Sequence, residues 1–352
     1  PLKNMKKIKF PIGQISNNNH PYIVAELSAN HNGSLDQAKK LIKSAKENGA
    51  DCIKLQTYTA ETLTIDSSKE DFLIKSGLWK GRSLYDLYEE AHTPWEWHSE
   101  LFNYANELKI DIFSSPFDAT AVDFLEGLNC PVYKIASFEA HDIELVKYIA
   151  ATKKPVIAST GMLNEKETYN LVNAIEKFGC GNYMILHCVS AYPCNHSEYN
   201  LNLIRDMQDK FSCLVGLSDH TIGNVTAVTS IALGVSLIEK HYTLDRNGGG
   251  PDDSFSMLPS DLNNLSRETK IAWESLGEVD YSLKDGEKAN IKFRRSLYFM
   301  KDLTQGCKLS HEDIRSIRPG YGLDPSMINE VIGKKLKIDV ERGDPVKLSD
   351  FS

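Results

Sequence analysis

Short apolar runs rich in β-branched residues alternate with amphipathic stretches over the first 277 residues, roughly one pair every 25–30 residues. Eight runs have the length and composition of buried parallel strands, at residues 22–26, 52–56, 110–114, 132–135, 156–159, 183–187, 214–217 and 237–240. Apolar spacing and capping residues predict eight helices, at residues 35–47, 94–108, 119–125, 143–151, 165–178, 201–210, 225–233 and 262–276. Eight strand–helix pairs predict an α/β fold of the (β/α)8 TIM-barrel type rather than an open sheet.

The pattern changes after residue 277. Residues 278–290 are polar and predict a linker, and residues 291–352 contain short strand-like pieces separated by glycine and proline turns. We therefore expect a barrel domain over residues 1–277 and a small β-rich domain over residues 291–352. Residues 57–93 exceed the needs of a minimal barrel, which suggests an ordered loop over the rim or a peripheral decoration.

Composition restricts the possible function classes. No stretch of the 352 residues approaches the roughly 18 apolar residues of a membrane span, so we expect no membrane partner. A net charge of −8 argues against nucleic acid as a partner, and seven scattered cysteines are typical of reduced thiols in a cytoplasmic protein. The charge is uneven, because residues 291–352 carry +3 and the remainder −11. A basic module could thus complement an anionic substrate or a second subunit.

Polar side chains follow the predicted strands at the point where each one ends. They are Glu26, Lys54, Gln56, Ser114, Ser115, Lys134, Ser137, Ser159, His187, Ser190, Ser218, His220, Glu239 and His241. The active site of a barrel is built from the carboxyl ends of its strands, so we expect these groups at one rim. Charges near a core cost several kcal/mol unless they are paired, which favours a functional site over a structural one.

Two histidines stand out within this set. His220 and His241 end consecutive predicted strands, 21 residues apart, which is one βαβ step of a parallel sheet. Two neighbouring imidazoles with acids nearby, Asp219 and Glu239, form a plausible half-shell for a divalent metal. The alternative is that each histidine is a strand-end residue whose nitrogens bond the backbone.

A second set combines ammonium and hydroxyl groups: Lys54, Lys134, Ser137, Ser159 and Ser218. Such a patch suits a ligand with both a phosphate and a carboxylate. A Schiff base on one lysine is the competing interpretation, but a metal on the histidines would supply the same polarisation. Glu26, Glu139 and Asp252 are acids that could orient hydroxyls or move protons.

Seven segments in this order resemble the sialic acid synthases, which condense phosphoenolpyruvate with an acetamido sugar. They are VAE at 24–26, IKLQ at 53–56, YKIASFE at 133–139, STGM at 159–162, GLSDHT at 216–221, IEKH at 238–241 and GPD at 250–252. The tail, with RRSL at 294–297, IRPGYG at 317–322 and GDP at 343–345, is similar to the antifreeze-like (SAF) domain of that family. The resemblance covers nearly the whole chain and implies a cytoplasmic transferase of cell-surface polysaccharide biosynthesis.

The resemblance also implies roles for individual residues. Phosphoenolpyruvate would be bound by Lys54, Lys134, Ser137, Ser159 and Ser218, and Ser190, where neuraminate synthases often have asparagine, is a further candidate contact. The sugar hydroxyls would be bound by Glu26, Gln56, Tyr192 and Asp252. His220 and His241 would hold Mn²⁺, with Mg²⁺ or Co²⁺ as alternatives, and Glu139 would transfer a proton. The family further implies a domain-swapped homodimer in which Arg318 contacts the acetamido group of the sugar in the partner's barrel.

Within the family, the Phe138-Glu139 pair, the TPWEW segment at 93–97 and the RPGYG segment at 318–322 most resemble the pseudaminic acid synthases. Their sugar is 2,4-diacetamido-2,4,6-trideoxy-L-altrose. N-acetylneuraminate and legionaminate synthases, which share the chemistry, are the alternatives. A non-catalytic carbohydrate-binding protein is a remote alternative, suggested only by the antifreeze-like tail.

Overall fold

The computed structural model describes residues 7–352, so the first six residues of the predicted barrel domain lie outside the described part. A short antiparallel hairpin comes first, with strands β1 (Lys7–Lys9) and β2 (Gln14–Ser16). Eight parallel strands then close into a barrel: β3 (Tyr22–Glu26), β4 (Cys52–Thr57), β5 (Asp111–Pro116), β6 (Tyr133–Ile135), β7 (Val156–Ser159), β8 (Tyr183–Cys188), β9 (Leu214–Ser218) and β10 (Leu237–His241). β10 pairs with β3 and completes the ring, which confirms the predicted TIM barrel.

Eight helices surround the barrel: Leu35–Glu47, Trp95–Glu107, Ala119–Gly127, Ile143–Ala151, Glu165–Phe178, Leu203–Phe211, Val225–Ile231 and Pro259–Leu276. Side-chain caps begin several of them. Asn164 Oδ1 accepts the Glu167 amide (2.9 Å) while the Glu167 carboxylate accepts the Asn164 amide (2.9 Å), a reciprocal cap that fixes the start of its helix. The last helix begins three residues before the prediction, because Pro259 takes its first turn, where a missing amide costs nothing.

The amino-terminal hairpin was not predicted from the sequence. Its strands have only three residues each, too few for an alternation to be recognised. Ile8 and Ile15 are buried, and the backbone amides of Ile12 and Gly13 donate to the Asp111 carboxylate at 3.0 and 2.8 Å. Because Asp111 begins β5, the hairpin lies at the amino-terminal end of the barrel.

The long segment after β4 is ordered. It contains helices Ala60–Leu63 and Leu84–Ala91 and a 3-10 turn, Glu70–Phe72, where a loop was expected. The indole N–H of Trp79 donates to the carbonyl oxygen of Pro251 (2.9 Å), in the segment that follows β10. This contact places the segment at the carboxyl-terminal rim, as expected from its position in the chain.

The chain divides into two compact units after Gly277, and the second unit covers Glu278–Ser352. All residues of 278–290 are exposed, and they include the short helix Asp285–Lys288. The second unit has an antiparallel pair, β11 (Ser296–Phe299) and β12 (Ile314–Ile317), and the helix Ile328–Val331. Its own apolar core includes Leu297, Phe299, Ile314, Val331 and Val346.

The remaining ordered turns are 3-10 helices at His196–Glu198, Asp253–Phe255, Ile291–Phe293, Pro325–Met327 and Leu348–Asp350. No helix within residues 7–352 combines the length and apolarity needed to cross a bilayer.

Candidate active site

A network of buried charges occupies the carboxyl-terminal rim of the barrel. Lys54 Nζ lies 3.1 Å from Glu26 Oε2 and 2.8 Å from Glu239 Oε1. Barrel closure brings these three strands together, since β10 pairs with β3 and β3 with β4. Burial alone would lower the pKa of Lys54, but the two carboxylates outweigh it and hold that pKa above its usual range. The lysine therefore stays protonated inside the barrel.

Lys134 extends the network toward the neighbouring strand. Its ammonium donates to Ser159 Oγ (2.7 Å) and lies 3.8 Å from Glu239 Oε1. Burial lowers the pKa of Lys134 to about 8, although Glu239 acts in the opposite direction. The structure thus brings together the two lysines and one of the serines that the sequence placed in one anion site.

Glu239 joins the two lysines, whereas its position in the sequence suggested an acid beside the histidines. It is 4% exposed, and it also accepts a hydrogen bond from the Ser218 hydroxyl at 3.4 Å. The IEKH segment already indicates that Glu239 faces the site. Alternate residues of a strand share a face, so Glu239 must point the same way as His241. Its carboxylate holds the two ammonium groups close to each other despite their repulsion.

A glycine flanked by two serines adjoins this network. The Gly161 amide donates to Ser137 Oγ (3.1 Å), and a Cβ on Gly161 would collide with the hydroxyls of both Ser137 and Ser190. The two hydroxyls and the amide therefore form one small polar concavity, suited to the oxygens of an anion. This geometry groups Ser190 with the anion-binding serines.

The two histidines lie together on the same rim, with ring centroids 5.5 Å apart. Tyr192 packs against His220 (4.3 Å between centroids), and Phe255 packs against His241 (5.1 Å). The backbone carbonyl of Val189 lies 2.8 Å from His220 Nδ1. Because a carbonyl only accepts, Nδ1 carries a proton, and Nε2 is the nitrogen that could bind a metal. Burial and the neighbouring His220 hold the pKa of His241 well below its usual range.

These two imidazoles fit a divalent metal as a pair of nitrogen ligands. His241 Nδ1 is buried without a hydrogen-bond partner in the described chain and lies 3.9 Å from Asp252 Oδ2. No group of three or more metal-ligating side chains occurs within residues 7–352. A bound ion would therefore take two protein nitrogens and complete its coordination with water and substrate oxygens.

Acidic and amide groups line the remaining side of the rim in a chain of hydrogen bonds. Gln56 Nε2 donates to Glu26 Oε1 (2.8 Å) and to Ser28 Oγ (3.1 Å), and the Ser28 hydroxyl in turn donates to Asp252. The sequence predicted Glu26, Gln56 and Asp252 as one sugar-binding set, and the structure brings them together. Ser28 was missed, because it follows β3 by two residues and carries no distinctive motif.

Glu139 follows β6 and is half-buried. Burial raises its pKa to about 7. Its Oε2 atom is buried and has no hydrogen-bond partner in the described chain, and the same holds for Ser115 Oγ and Glu239 Oε2. Buried polar atoms without partners are rare in folded proteins, and their clustering at one rim indicates a place that a ligand completes.

Cys188 is a further rim residue that sequence reasoning did not find. Its Sγ lies 3.9 Å from both His220 Nδ1 and Ser190 Oγ. Burial alone would raise the pKa of this thiol, but His220 outweighs it and brings the pKa to about 7. Arg318 lies in the other unit, directly after β12, and its predicted contact with the sugar stays a prediction.

The sequence is similar to known proteins over nearly its whole length. The sequence matches the NeuB family over residues 41–281 and the SAF domain over residues 294–352. It is 44% identical to pseudaminic acid synthase of Campylobacter jejuni, over 97% of this chain and 99% of that protein. It is 33% identical to N,N'-diacetyllegionaminic acid synthase of Legionella pneumophila, over 92% of both proteins.

Among solved structures, the crystal structure of N-acetylneuraminic acid synthetase from Leptospira borgpetersenii, in complex with citrate, matches with a TM-score of 0.73 and 29% identity. The match covers 82% of this chain and 96% of that one. The chain therefore belongs to the NeuB family of synthases, enzymes with a TIM barrel, and it carries a SAF domain at its carboxyl-terminal end.

Proposed function

We propose that this enzyme is a pseudaminic acid synthase, which condenses phosphoenolpyruvate with 2,4-diacetamido-2,4,6-trideoxy-L-altrose. The observation that carries the proposal is a rim with two chemically different sides: a lysine–serine side joined by Glu239 and a histidine side lined by Tyr192 and Phe255. The 44% identity to a pseudaminic acid synthase, against 33% to a legionaminic acid synthase, favours the pseudaminic acid precursor as the sugar.

In the proposed reaction, C3 of phosphoenolpyruvate forms a bond to the aldehyde carbon of the open-chain sugar. Water then adds at C2. The resulting tetrahedral intermediate releases inorganic phosphate by breaking the bond between C2 and the oxygen that is bound to phosphorus. The phosphate and the carboxylate must be held during these steps, because the reacting carbons need a fixed approach. The groups that would bind phosphoenolpyruvate are Lys54, Lys134, Ser137, Ser159, Ser190 and Ser218.

His220 and His241 would hold a divalent ion, with Mn²⁺ as our first choice and Mg²⁺ or Co²⁺ as alternatives. When bound, the ion supplies Lewis-acid polarisation of the aldehyde oxygen. The Val189 carbonyl orients the His220 ring through Nδ1, and burial favours the neutral form of His241, which is the form that a metal ligand requires.

Glu139 is our candidate for proton transfer. With a pKa near 7, its carboxyl group can both hold and release a proton at neutral pH, which is the property of an efficient acid–base catalyst. Glu26, Gln56 and Asp252, which are joined by hydrogen bonds through Ser28, would bind the sugar hydroxyls together with Tyr192, which packs against His220.

We further propose that the enzyme acts in the cytoplasm as a domain-swapped homodimer. Arg318 would reach the acetamido group of the sugar in the partner's barrel. The supporting observation is the charge of the chain, with +3 on residues 291–352 and −11 on the remainder. Opposite charges favour docking of one module on the body of a second subunit.

A panel of three sugars tests the function. The chain is incubated with phosphoenolpyruvate, Mn²⁺ and either the diacetamido-altrose, the legionaminate precursor or N-acetylmannosamine, and phosphate release is followed. The proposal expects the highest kcat/KM with the diacetamido-altrose. A higher kcat/KM with either of the other sugars would assign the enzyme to that branch of the family. If none of the three sugars led to phosphate release, the proposal would be contradicted.

A further inference from the structure

A buried ion pair lies directly behind the two site histidines. Lys240 Nζ donates to Asp219 Oδ2 (2.7 Å) and to the backbone carbonyl of Thr221 (2.8 Å). Lys240 is 4% exposed, and Asp219 and Thr221 are each 1% exposed. The pair joins residues that immediately neighbour His220 and His241 in the sequence.

Strand alternation explains the position of the pair. Glu239 and His241 belong to the inner face of β10, so Lys240 between them belongs to the outer face. Asp219 directly follows the last residue of β9 and lies on the same side as Lys240, because its carboxylate contacts the Lys240 ammonium. The outer positions of barrel strands pack against helices and are normally apolar.

An ion pair at such a position is not explained by the needs of the fold. Well-packed apolar residues in place of a buried ion pair are often neutral or stabilising, because both charges must be desolvated. What the pair does provide is fixed geometry, since each of its hydrogen bonds has a defined length and direction.

Asp219 also closes a turn around His220. Its Oδ1 accepts the backbone amide of Thr221 (2.9 Å) and the Thr221 hydroxyl (2.8 Å), while the Asp219 amide donates to the Glu239 carbonyl (2.8 Å). The turn that carries one histidine is therefore tied to the strand that carries the other by both side-chain and backbone bonds.

We propose that the Asp219–Lys240 pair positions the metal site by fixing the distance and orientation of His220 relative to His241. The inference rests on the proposed function, because a metal ion is what the two imidazoles would share. Partners that hold metal ligands in place commonly change metal affinity 10–100-fold when they are removed. Both residues act through the histidines and are positioning residues rather than catalytic ones.

The test is the Mn²⁺ dissociation constant, measured from the electron paramagnetic resonance signal of free Mn²⁺ without substrates. Lys240→Met should weaken Mn²⁺ binding about 10–100-fold. Lys154→Met is the matched control, because it removes a lysine paired with Glu126 (2.7 Å) at the opposite end of the barrel. The control should bind Mn²⁺ like the wild type. A pair with only a structural role would lower the melting temperature of Lys240→Met and leave its Mn²⁺ affinity unchanged, which would overturn the proposal.

A second variant keeps the test decisive, since Lys240→Met leaves a buried carboxylate unpaired and can prevent folding. Thr221→Val removes only the hydroxyl that donates to Asp219 and preserves the shape of the side chain. It should fold and bind Mn²⁺ several-fold more weakly than the wild type, and wild-type affinity would overturn the positioning role. A wild-type chain that bound no Mn²⁺ would instead overturn the metal assignment itself, and with it this inference.

Discussion

Replacing Lys134 by methionine tests the anion-binding side of the rim. The change removes an ammonium group that is 1% exposed and keeps the length of the side chain. A hydrogen bond to a charged group contributes about 1.5–3 kcal/mol, and each 1.4 kcal/mol corresponds to a factor of ten. The KM for phosphoenolpyruvate should therefore rise roughly 10- to 150-fold, while the KM for the sugar should change by less than about threefold.

The substitution also affects Glu239, which loses the cation at 3.8 Å and keeps Lys54 at 2.8 Å. A buried carboxylate with fewer partners lowers the free energy of unfolding. The double variant Lys134→Met/Glu239→Gln removes that carboxylate together with the lysine. It should recover melting temperature but not the affinity for phosphoenolpyruvate, which separates damage to the fold from damage to the site.

The assay is initial-rate phosphate release with one substrate varied at a time, and Lys154→Met is the control. Because the pKa of Lys134 is about 8, kcat/KM for phosphoenolpyruvate in the wild type should also fall as the pH rises through that value. This decrease of kcat/KM with rising pH should be absent from Lys134→Met. Equal increases in the KM of both substrates would refute an anion site at Lys134.

Three further predictions concern Glu139, Gly161 and Arg318. Glu139→Gln should lower kcat and remove the pH dependence near 7. Because the pKa of Glu139 in the folded protein lies above its usual 4.5, ionisation of this group destabilises the fold. The variant should therefore have a higher melting temperature than the wild type at pH 8 and the same melting temperature below pH 4.5. A wild-type pH profile in that variant would exclude Glu139 as the acid–base group. Gly161→Ala should raise the KM for phosphoenolpyruvate about tenfold, because the added methyl group collides with two hydroxyls at a typical cost of about 1–3 kcal/mol; an unchanged KM would remove this glycine from the site. Mixing Arg318→Ala chains with inactive His241→Ala chains should restore part of the activity, and no recovery after subunit exchange would contradict a site shared between subunits.

The strands and most helices could be predicted from the sequence because each one is specified locally. The run at 22–26 is apolar up to its last residue, and the structure ends β3 at the same glutamate. Helices with side-chain caps, such as Glu165–Phe178, were predicted to the residue. The amino-terminal hairpin was missed because three-residue strands carry no periodicity.

The site could be predicted only as a set of strand ends. The sequence shows that Lys54 and Glu239 belong to predicted strands, but not that Glu239 lies between the two lysines. That contact depends on the register in which β10 closes against β3, which is a property of the whole barrel. The same holds for Cys188 beside His220, since nothing in either segment alone indicates the other.

The proposed function depends most directly on whether metal-dependent condensation requires the histidine pair. Purified enzyme is treated with a chelator, dialysed and assayed for phosphate release from phosphoenolpyruvate and the diacetamido sugar, before and after Mn²⁺ is restored. We expect the wild type to lose activity on chelation and to regain it with Mn²⁺. His220→Ala, shown to be folded by its melting temperature, should remain inactive after Mn²⁺ is restored. Full activity of His220→Ala after the same treatment would contradict the account.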